Sequence, residues 1–214
     1  MDTILEPQIL EVIKDKSNLT PAVRLILYQD KKVIWKDYSN RPWWVRKTWG
    51  EVLANNEFTI LRRLQGIKGI PHAICKTPHG LLIDYVEGQF LNKFRPNELP
   101  YAIIGKLENL IGQIHSRYIV HLDLAQRKNI LISSDFNPYI IDFANAFFLR
   151  PKVMLARKVF NCLRLIDRGS LLKFKNRYFP DKMTIDEKKY LKWFWAVRKW
   201  WFLSPKTFRD RDNV

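Results

Sequence analysis

Two apolar stretches, "VHLDLAQRKNILI" at residues 120–132 and "PYIIDFANAFF" at 138–148, carry His121, Asp123, Asn129 and Asp142 among their few polar side chains. Burying a carboxylate without a partner costs several kcal/mol, so acids at the ends of short apolar segments point to a cation or to a proton in transit. Val120, Leu122 and Leu124 alternate with the polar positions, while residues 130–132 and 139–141 have strand propensity. The pattern predicts a loop leading into two short strands joined by the turn "SSDFNP".

These residues need a frame to hold them. The chain of 214 residues is 47% hydrophobic and 14% aromatic, enough for a substantial core in one domain or two small lobes. No apolar run approaches the roughly 18 residues needed to span a bilayer. The start, "MDTILEPQILEVIKD", has no basic segment followed by a continuous apolar one, so the chain reads as cytosolic. Cys75 and Cys162 make neither a disulfide framework nor a zinc site and are expected to be reduced, packed thiols.

Charge is unevenly spread. Residues 1–149 hold 19 basic and 15 acidic side chains, net +4, and residues 150–214 hold 18 and 6, net +12. Such a skew signals an anionic partner for the C-terminal third.

"AVRLILYQDKKVIWKDYS" predicts strands over 22–28 and 33–38 around a polar turn at 29–32. Ile34 and Lys36 share one face of the second strand, so Lys36 points where an apolar residue is expected. "EVLANNEFTILRRLQGIKG" places Leu53, Phe58, Leu61 and Leu64 near helical spacing, with Glu57 inside the helix and Gly66 and Gly69 as stop signals. A strand is predicted at 81–85, a break near Gly88, and a helix with Ile103, Leu107, Leu110, Ile111 and Ile114 on one face. The order is a small strand-rich lobe with one helix, a hinge near 84–89, and a mainly helical lobe.

A strand lysine, a helical glutamate about twenty residues later, a hinge, an H-x-D loop ending in Asn, and D-F after a hairpin together resemble the protein-kinase-like superfamily. "VIWK" is similar to the V-A-I-K strand, "HLDLAQRKN" to the H-R-D loop, and "IIDFANA" to the D-F-G segment. "WKDYSNRPWW…NEFTILRRLQGIKGIP" further resembles the small bacterial kinases of the lipopolysaccharide core, the Kdo and heptose kinases, and their RIO-type relatives. The resemblance covers roughly residues 20–150. It implies an α+β, minimal bilobal kinase-like fold: one domain over 1–214, with an antiparallel-sheet N-lobe to about 84 and a reduced helical C-lobe from about 90.

It also implies ATP and Mg²⁺ as cofactors. Lys36 would hold the α- and β-phosphates with Glu57 paired to it, and the hinge residues Asp84, Tyr85 and Val86 would line the nucleotide site. Asp123 would accept the acceptor's hydroxyl proton, and Asn129 and Asp142 would ligate the metal. Against this, Glu57 beside Arg62 and Arg63 would ordinarily be a solvated surface residue, and Lys36 an edge-strand lysine. The His115, His121 and Asp123 trio has poor spacing for a metal, so His121 is read as structural, packing near Phe143.

The departures are specific. From Asp123 to Asn129 is six residues, one more than the usual loop, which places the extra residue among 125–128. Leu122 replaces the loop arginine and Ala144 the glycine of D-F-G. No glycine precedes Gly50, so "KSNLTP" would have to replace a Gly-rich phosphate cover. The full charge-handling set argues for an active kinase over a pseudokinase binding module.

For the acceptor, the resemblance implies a sugar or glycolipid hydroxyl, with a RIO-like protein kinase or ATPase near ribosomal RNA as the alternative. "EKKYLKWFWAVRKWWFLSPKTFRDR" would set Tyr190, Phe194, Val197 and Trp201 on one helical face and Lys188, Lys192 and Lys199 near another. "RPWWVRKTWG" and "FLRPKVMLARKVF" are similar basic-aromatic segments. Such segments suit an anionic membrane surface at the inner face of the cytoplasmic membrane, with nucleic acid the weaker reading and no stable protein partner indicated.

Overall fold

The computed structural model describes residues 8–200, and the side chains of residues 8–196. An antiparallel sheet of five strands forms the first layer: β1 (Gln8–Lys14), β2 (Ala22–Tyr28), β3 (Lys31–Asp37), β4 (Ala73–Thr77) and β5 (Gly80–Asp84), in the order β1-β2-β3-β5-β4. β1 was not anticipated, because "QILEVIK" is exposed along its whole length and shows no clear burial alternation. β3 begins at Lys31 rather than 33, which shortens the turn to Gln29 and Asp30, both at positive φ (51° and 59°). Two such residues make the tight hairpin whose twist matches its strands. β5 is likewise one residue earlier than expected.

Strand alternation gives the sheet two apolar faces. Ile26, Val33 and Leu82 cluster on one, with Trp35 and Tyr28 packed against them. The other carries Ile34, Leu81 and Ile83 into the main core. Lys36 pairs in register with Leu81, on this second face. A Cβ at Gly80 would overlap the Lys36 carbonyl, so only glycine lets β5 lie this close to β3 here.

The helix of the first lobe starts earlier than its periodicity suggested. A short α1 (Trp43–Val45) runs through a π-helical turn (Arg46–Gly50) into α2 (Glu51–Arg63), which buries Ala54, Glu57, Ile60 and Leu61. Gly66 and Gly69, at φ 89° and 94°, then turn the chain toward β4.

The second lobe is built on α3 (Ala102–Ser116), whose Ile103, Leu107, Leu110, Ile111 and Ile114 are buried. Two small antiparallel units hold the loops above it: β6 (Gln89–Phe90) with β8 (Ile130–Ile132) and β9 (Pro138–Ile140), and β7 (Ile119–Val120) with β10 (Phe147–Phe148). A 25-residue helix, α4 (Met154–Tyr178), follows, and α5 (Ile185–Trp200) packs Leu191 and Phe194 onto Leu172 and Met183. A Cβ at Gly169 would sit 2.5 Å from the Phe194 ring, so that glycine sets the approach of α5.

Of the expected apolar face of α5, Phe194 is buried and Tyr190 half-buried, while the side chains of Val197 and Trp201 lie outside the described residues. Lys188 and Lys192 are exposed, and the side chain of Lys199 is also outside them. Cys75 is half-buried but Cys162 is exposed on α4, which corrects the expectation of two packed thiols. Among the described residues no helix is long and apolar enough to cross a membrane.

Candidate active site

Lys36 projects from β3 beneath the sheet, and α2 packs where it brings Glu57 up against it. The ammonium donates to both Glu57 oxygens, at 2.7 and 2.9 Å, and to Asp142 Oδ1 at 2.9 Å. Glu57 is only 2% exposed, so the solvated-surface alternative does not hold. Its Oε1 also accepts the Phe143 N–H at 3.2 Å, which ties α2 to the segment after β9. Asn56 adds a second tie, donating to the carbonyls of Ala144 and Ala146 at 2.9 and 2.8 Å.

Two carboxylates sharing one ammonium polarise all three groups. Burial works against the charge of Lys36, but Asp142 and Glu57 outweigh it and hold the ammonium above its ordinary value. Lys36 in turn holds Asp142 below the ordinary carboxyl range. Burial raises the Glu57 carboxyl, with Lys36 opposing. Asp142 takes the left-handed conformation, φ 65° and ψ 66°, which a short polar residue tolerates.

Asp123 is buried in the facing loop. Its Oδ2 accepts from Gln126 Nε2 at 2.5 Å and from Asn129 Nδ2 at 3.3 Å, and Asn129 Nδ2 also donates to the Asp123 carbonyl at 3.0 Å. Both side-chain bonds fall on Oδ2, which leaves Oδ1 to take a proton. The Asn129 amide nitrogen is likewise committed, which leaves its oxygen as the ligating end. The extra loop residue is absorbed by two successive turns, in which Gln126 N–H meets the Asp123 carbonyl at 3.3 Å and Asn129 N–H the Gln126 carbonyl at 2.9 Å.

The loop is pinned from below by a residue that sequence reasoning missed. Asp167 of α4 is fully buried and accepts the backbone N–H groups of His121 and Leu122, each at 2.9 Å, while contacting His115 Nε2 at 2.9 Å. Leu122 sits at φ 64°, a conformation uncommon for a branched apolar residue, and the Asp167 bond holds it there. His121 packs against Phe143 at 4.7 Å between ring centroids, the rings tilted by 58°, and reaches the Ile141 carbonyl at 3.1 Å. Asp123 N–H points at His121 Nδ1. The imidazole is therefore a brace between the loop and the Asp142 segment.

Lys14 was also not singled out. It pairs in register with Val23, which pairs with Lys36, so the three lie in a line across β1, β2 and β3 on one face of the sheet. Partial burial, then the neighbouring Lys128, lower its pKa, and Asp142 and Lys36 act on it as well. Lys14 and Lys128 thus flank the cleft mouth, from the sheet and from the loop.

A family model for the RIO domain matches residues 28–177. The chain belongs to the RIO domain family. Two solved structures of the Rio2 kinase from Chaetomium thermophilum share its fold. The ADP/Mg²⁺-phosphoaspartate complex aligns with a TM-score of 0.61 at 17% identity, covering 86% of this chain and 61% of that one. The second gives 0.59 at 15% identity, covering 89% and 73%. The RIO chain described here therefore spans about three fifths of the length of the ADP-bound relative. Among curated proteins none matches its sequence significantly. The minimal kinase-like architecture expected from the motifs is the one observed.

Five of the expected site residues converge in this RIO domain: Lys36, Glu57, Asp123, Asn129 and Asp142. The three hinge residues do not join them through their side chains. Asp84 turns to His72, accepting its backbone N–H at 3.2 Å and meeting its Nδ1 at 2.7 Å. Asp84, Tyr85 and Val86 line an open groove of about 860 Å³ with residues 66–72 and one side of α3. None of the five converging residues lines that groove.

Proposed function

We propose that this RIO domain is an ATP- and Mg²⁺-dependent phosphotransferase. The observation that carries the reading is the capture of Lys36 between Glu57 and Asp142, opposite a loop that presents Asp123 and Asn129. Glu57 fixes the ammonium of Lys36 where it meets the α- and β-phosphates. Lys14 and Lys128 supply positive charge at the mouth in place of the missing glycine-rich cover. Val23, half-buried on the Lys36 face and outside the core clusters, is the apolar surface offered to a base.

The donor set fits a hard cation: the Asp142 carboxylate and the free Asn129 oxygen are oxygen ligands, of which Mg²⁺ takes one or two from protein and the rest from phosphates and water. Among the described residues no three His, Cys, Asp or Glu side chains come close enough to hold a metal ion together, so an all-protein metal cage is not offered. When bound, Mg²⁺ would neutralise charge developing on the transferred phosphoryl group. Asp123, through Oδ1, takes the proton of the attacking hydroxyl or water, and Gln126 and Asn129 keep its carboxylate aimed.

For the acceptor we favour the RIO-type reading, protein phosphorylation or ATP hydrolysis, over the sugar or glycolipid implied by the likeness to lipopolysaccharide-core kinases. The family match and both structural relatives support it. The phosphoaspartate in one relative adds an aspartyl carboxylate to the acceptors worth assaying.

Purified protein should gain thermal stability with ATP plus Mg²⁺, since a ligand bound only by the folded state stabilises it by mass action. Asp142→Asn should reduce that gain. With radiolabelled ATP, release of the label by hydroxylamine identifies an acyl phosphate, and retention identifies a phosphoester. No thermal shift at millimolar nucleotide and no displacement of a fluorescent analogue would remove the enzyme reading.

A further inference from the structure

The start of α4 is an amphipathic surface without a partner among the described residues. Val153, Met154 and Leu155 are 63%, 75% and 72% exposed, and Val159 is 42% exposed. Leu155, Val159 and Cys162 follow one another at helical i, i+4 and i+7 spacing, with Met154 beside them, on the side away from the buried Phe160 and Asp167. Isolated exposed apolar residues need no explanation, but a contiguous run of them marks an interaction site.

The charges next to this strip in the sequence are all of one sign. Arg150, Lys152, Arg157 and Lys158 surround it, and no acidic residue occurs between Asp142 and Asp167. None of these four cations forms an ion pair among the described residues. Lys158 lies within the apolar strip, where an aliphatic stem can lie along apolar surface with its ammonium in a polar layer.

We propose that residues 150–159 form a peripheral docking surface for an anionic lipid leaflet. Aliphatic side chains among unpaired cations match the boundary between acyl chains and anionic headgroups on both counts. A second copy of this chain is disfavoured, because the same patch would bring four cations against four. Nucleic acid is disfavoured because its bases are gripped by aromatic stacking, and Val, Met and Leu offer none.

The surface is not remote from the site. Leu155 and Asp167 are twelve residues apart on one helix, about 18 Å along its axis. Lipid binding needs no nucleotide, so the proposal stands whether or not the kinase reading does.

Vesicle co-sedimentation tests it with the full chain. The protein should bind phosphatidylcholine vesicles that contain phosphatidylserine and not those of phosphatidylcholine alone. Arg157→Gln with Lys158→Gln should weaken binding at least about tenfold, as expected for two cations near an anionic surface. Met154→Ser with Leu155→Ser should remove the part of the binding that resists high salt. All four positions are exposed, so an unchanged melting temperature certifies the fold. An environment-sensitive dye on Cys162, in a Cys75→Ala background, should shift to the blue only with anionic vesicles. Failure to bind such vesicles overturns the proposal, as does binding that ignores both double variants. Single-stranded RNA that binds equally well to Met154→Ser with Leu155→Ser and displaces the vesicles would show a general polyanion surface and overturn it too.

Discussion

The two halves of the candidate site are held by different forces. Above, the buried Lys36 and Glu57 and the partly exposed Asp142 form a cluster of one ammonium and two carboxylates, linked at 2.7–2.9 Å. Below, Asp123 is steered by the amides of Gln126 and Asn129, and its loop hangs from Asp167 by two backbone N–H bonds. A charge cluster fails as a set, because removing one member strands the others in a medium that cannot solvate them. A hydrogen-bonded loop fails by degrees, since each lost bond costs a limited amount. If the proposed function holds, the upper half should govern whether nucleotide is held at all, and the lower half how well the chemistry proceeds.

Lys36→Met tests the upper half most severely. It leaves the buried Glu57 without its cation, while the partly exposed Asp142 is screened by solvent, and should destabilise the fold by about 2–4 kcal/mol while abolishing nucleotide binding. Urea denaturation and fluorescent-nucleotide titration read both effects, and adding Glu57→Gln should restore part of the stability. If Lys36→Met melts like the parent, the charge-cluster account is wrong.

Asp123→Asn leaves the upper half intact. Transfer should fall by at least about 10²-fold, the lower range for general-base catalysis, with ATP affinity nearly unchanged. Matching losses in affinity and turnover would show that the halves are not separable in this way.

Asp167→Ala strikes the suspension of the loop. Two backbone N–H groups lose their acceptor, at a cost of about 1–3 kcal/mol in stability for each that stays buried, and turnover should fall more than nucleotide affinity. Asp167→Asn keeps one accepting oxygen and should fall between parent and Ala. Equal behaviour of the two variants would mean that the carboxylate does not hold the loop.

The smallest effect on stability separates two adjacent residues. Asn129→Ala should raise the Mg²⁺ requirement, whereas Lys128→Ala should raise KM for ATP or acceptor and leave the metal dependence alone. An ammonium has no lone pair to offer a cation and an amide oxygen does. Initial rates over a Mg²⁺ series decide it.

Much of this arrangement was legible in the sequence where chemistry and local periodicity coincide. Lys36 stood out because a strand that alternates Val33, Trp35 and Ile34 has no packing reason for a lysine on its inner face. The faces of α2 and α3 followed from helical spacing. Asp167 was invisible because one aspartate in "LRLIDRGS" says nothing about which amides lie above it; only the packing of α4 under β7 supplies them. β1 was missed because an edge strand exposed along its length gives up the burial alternation by which strands are read. The pairing of Asp84 with His72, twelve residues back, was likewise not legible, because it depends on how β5 lies beside the segment before β4.

The position of Asp167 also bears on how the protein is made. The ribosome releases Lys36, Glu57, Asp123, Asn129 and Asp142 before it releases the residue that suspends the loop. A nascent chain that has reached Asp142 already contains every proposed ligand and base, yet Leu122 still lacks the carboxylate that holds it at positive φ. Assembly of the lower half waits for α4, so the site forms late in synthesis and as one step with the second lobe. Fragments that end before Asp167 should accordingly carry the parts of the site without its loop in place, and supplying α4 as a separate chain is the direct way to see that final step.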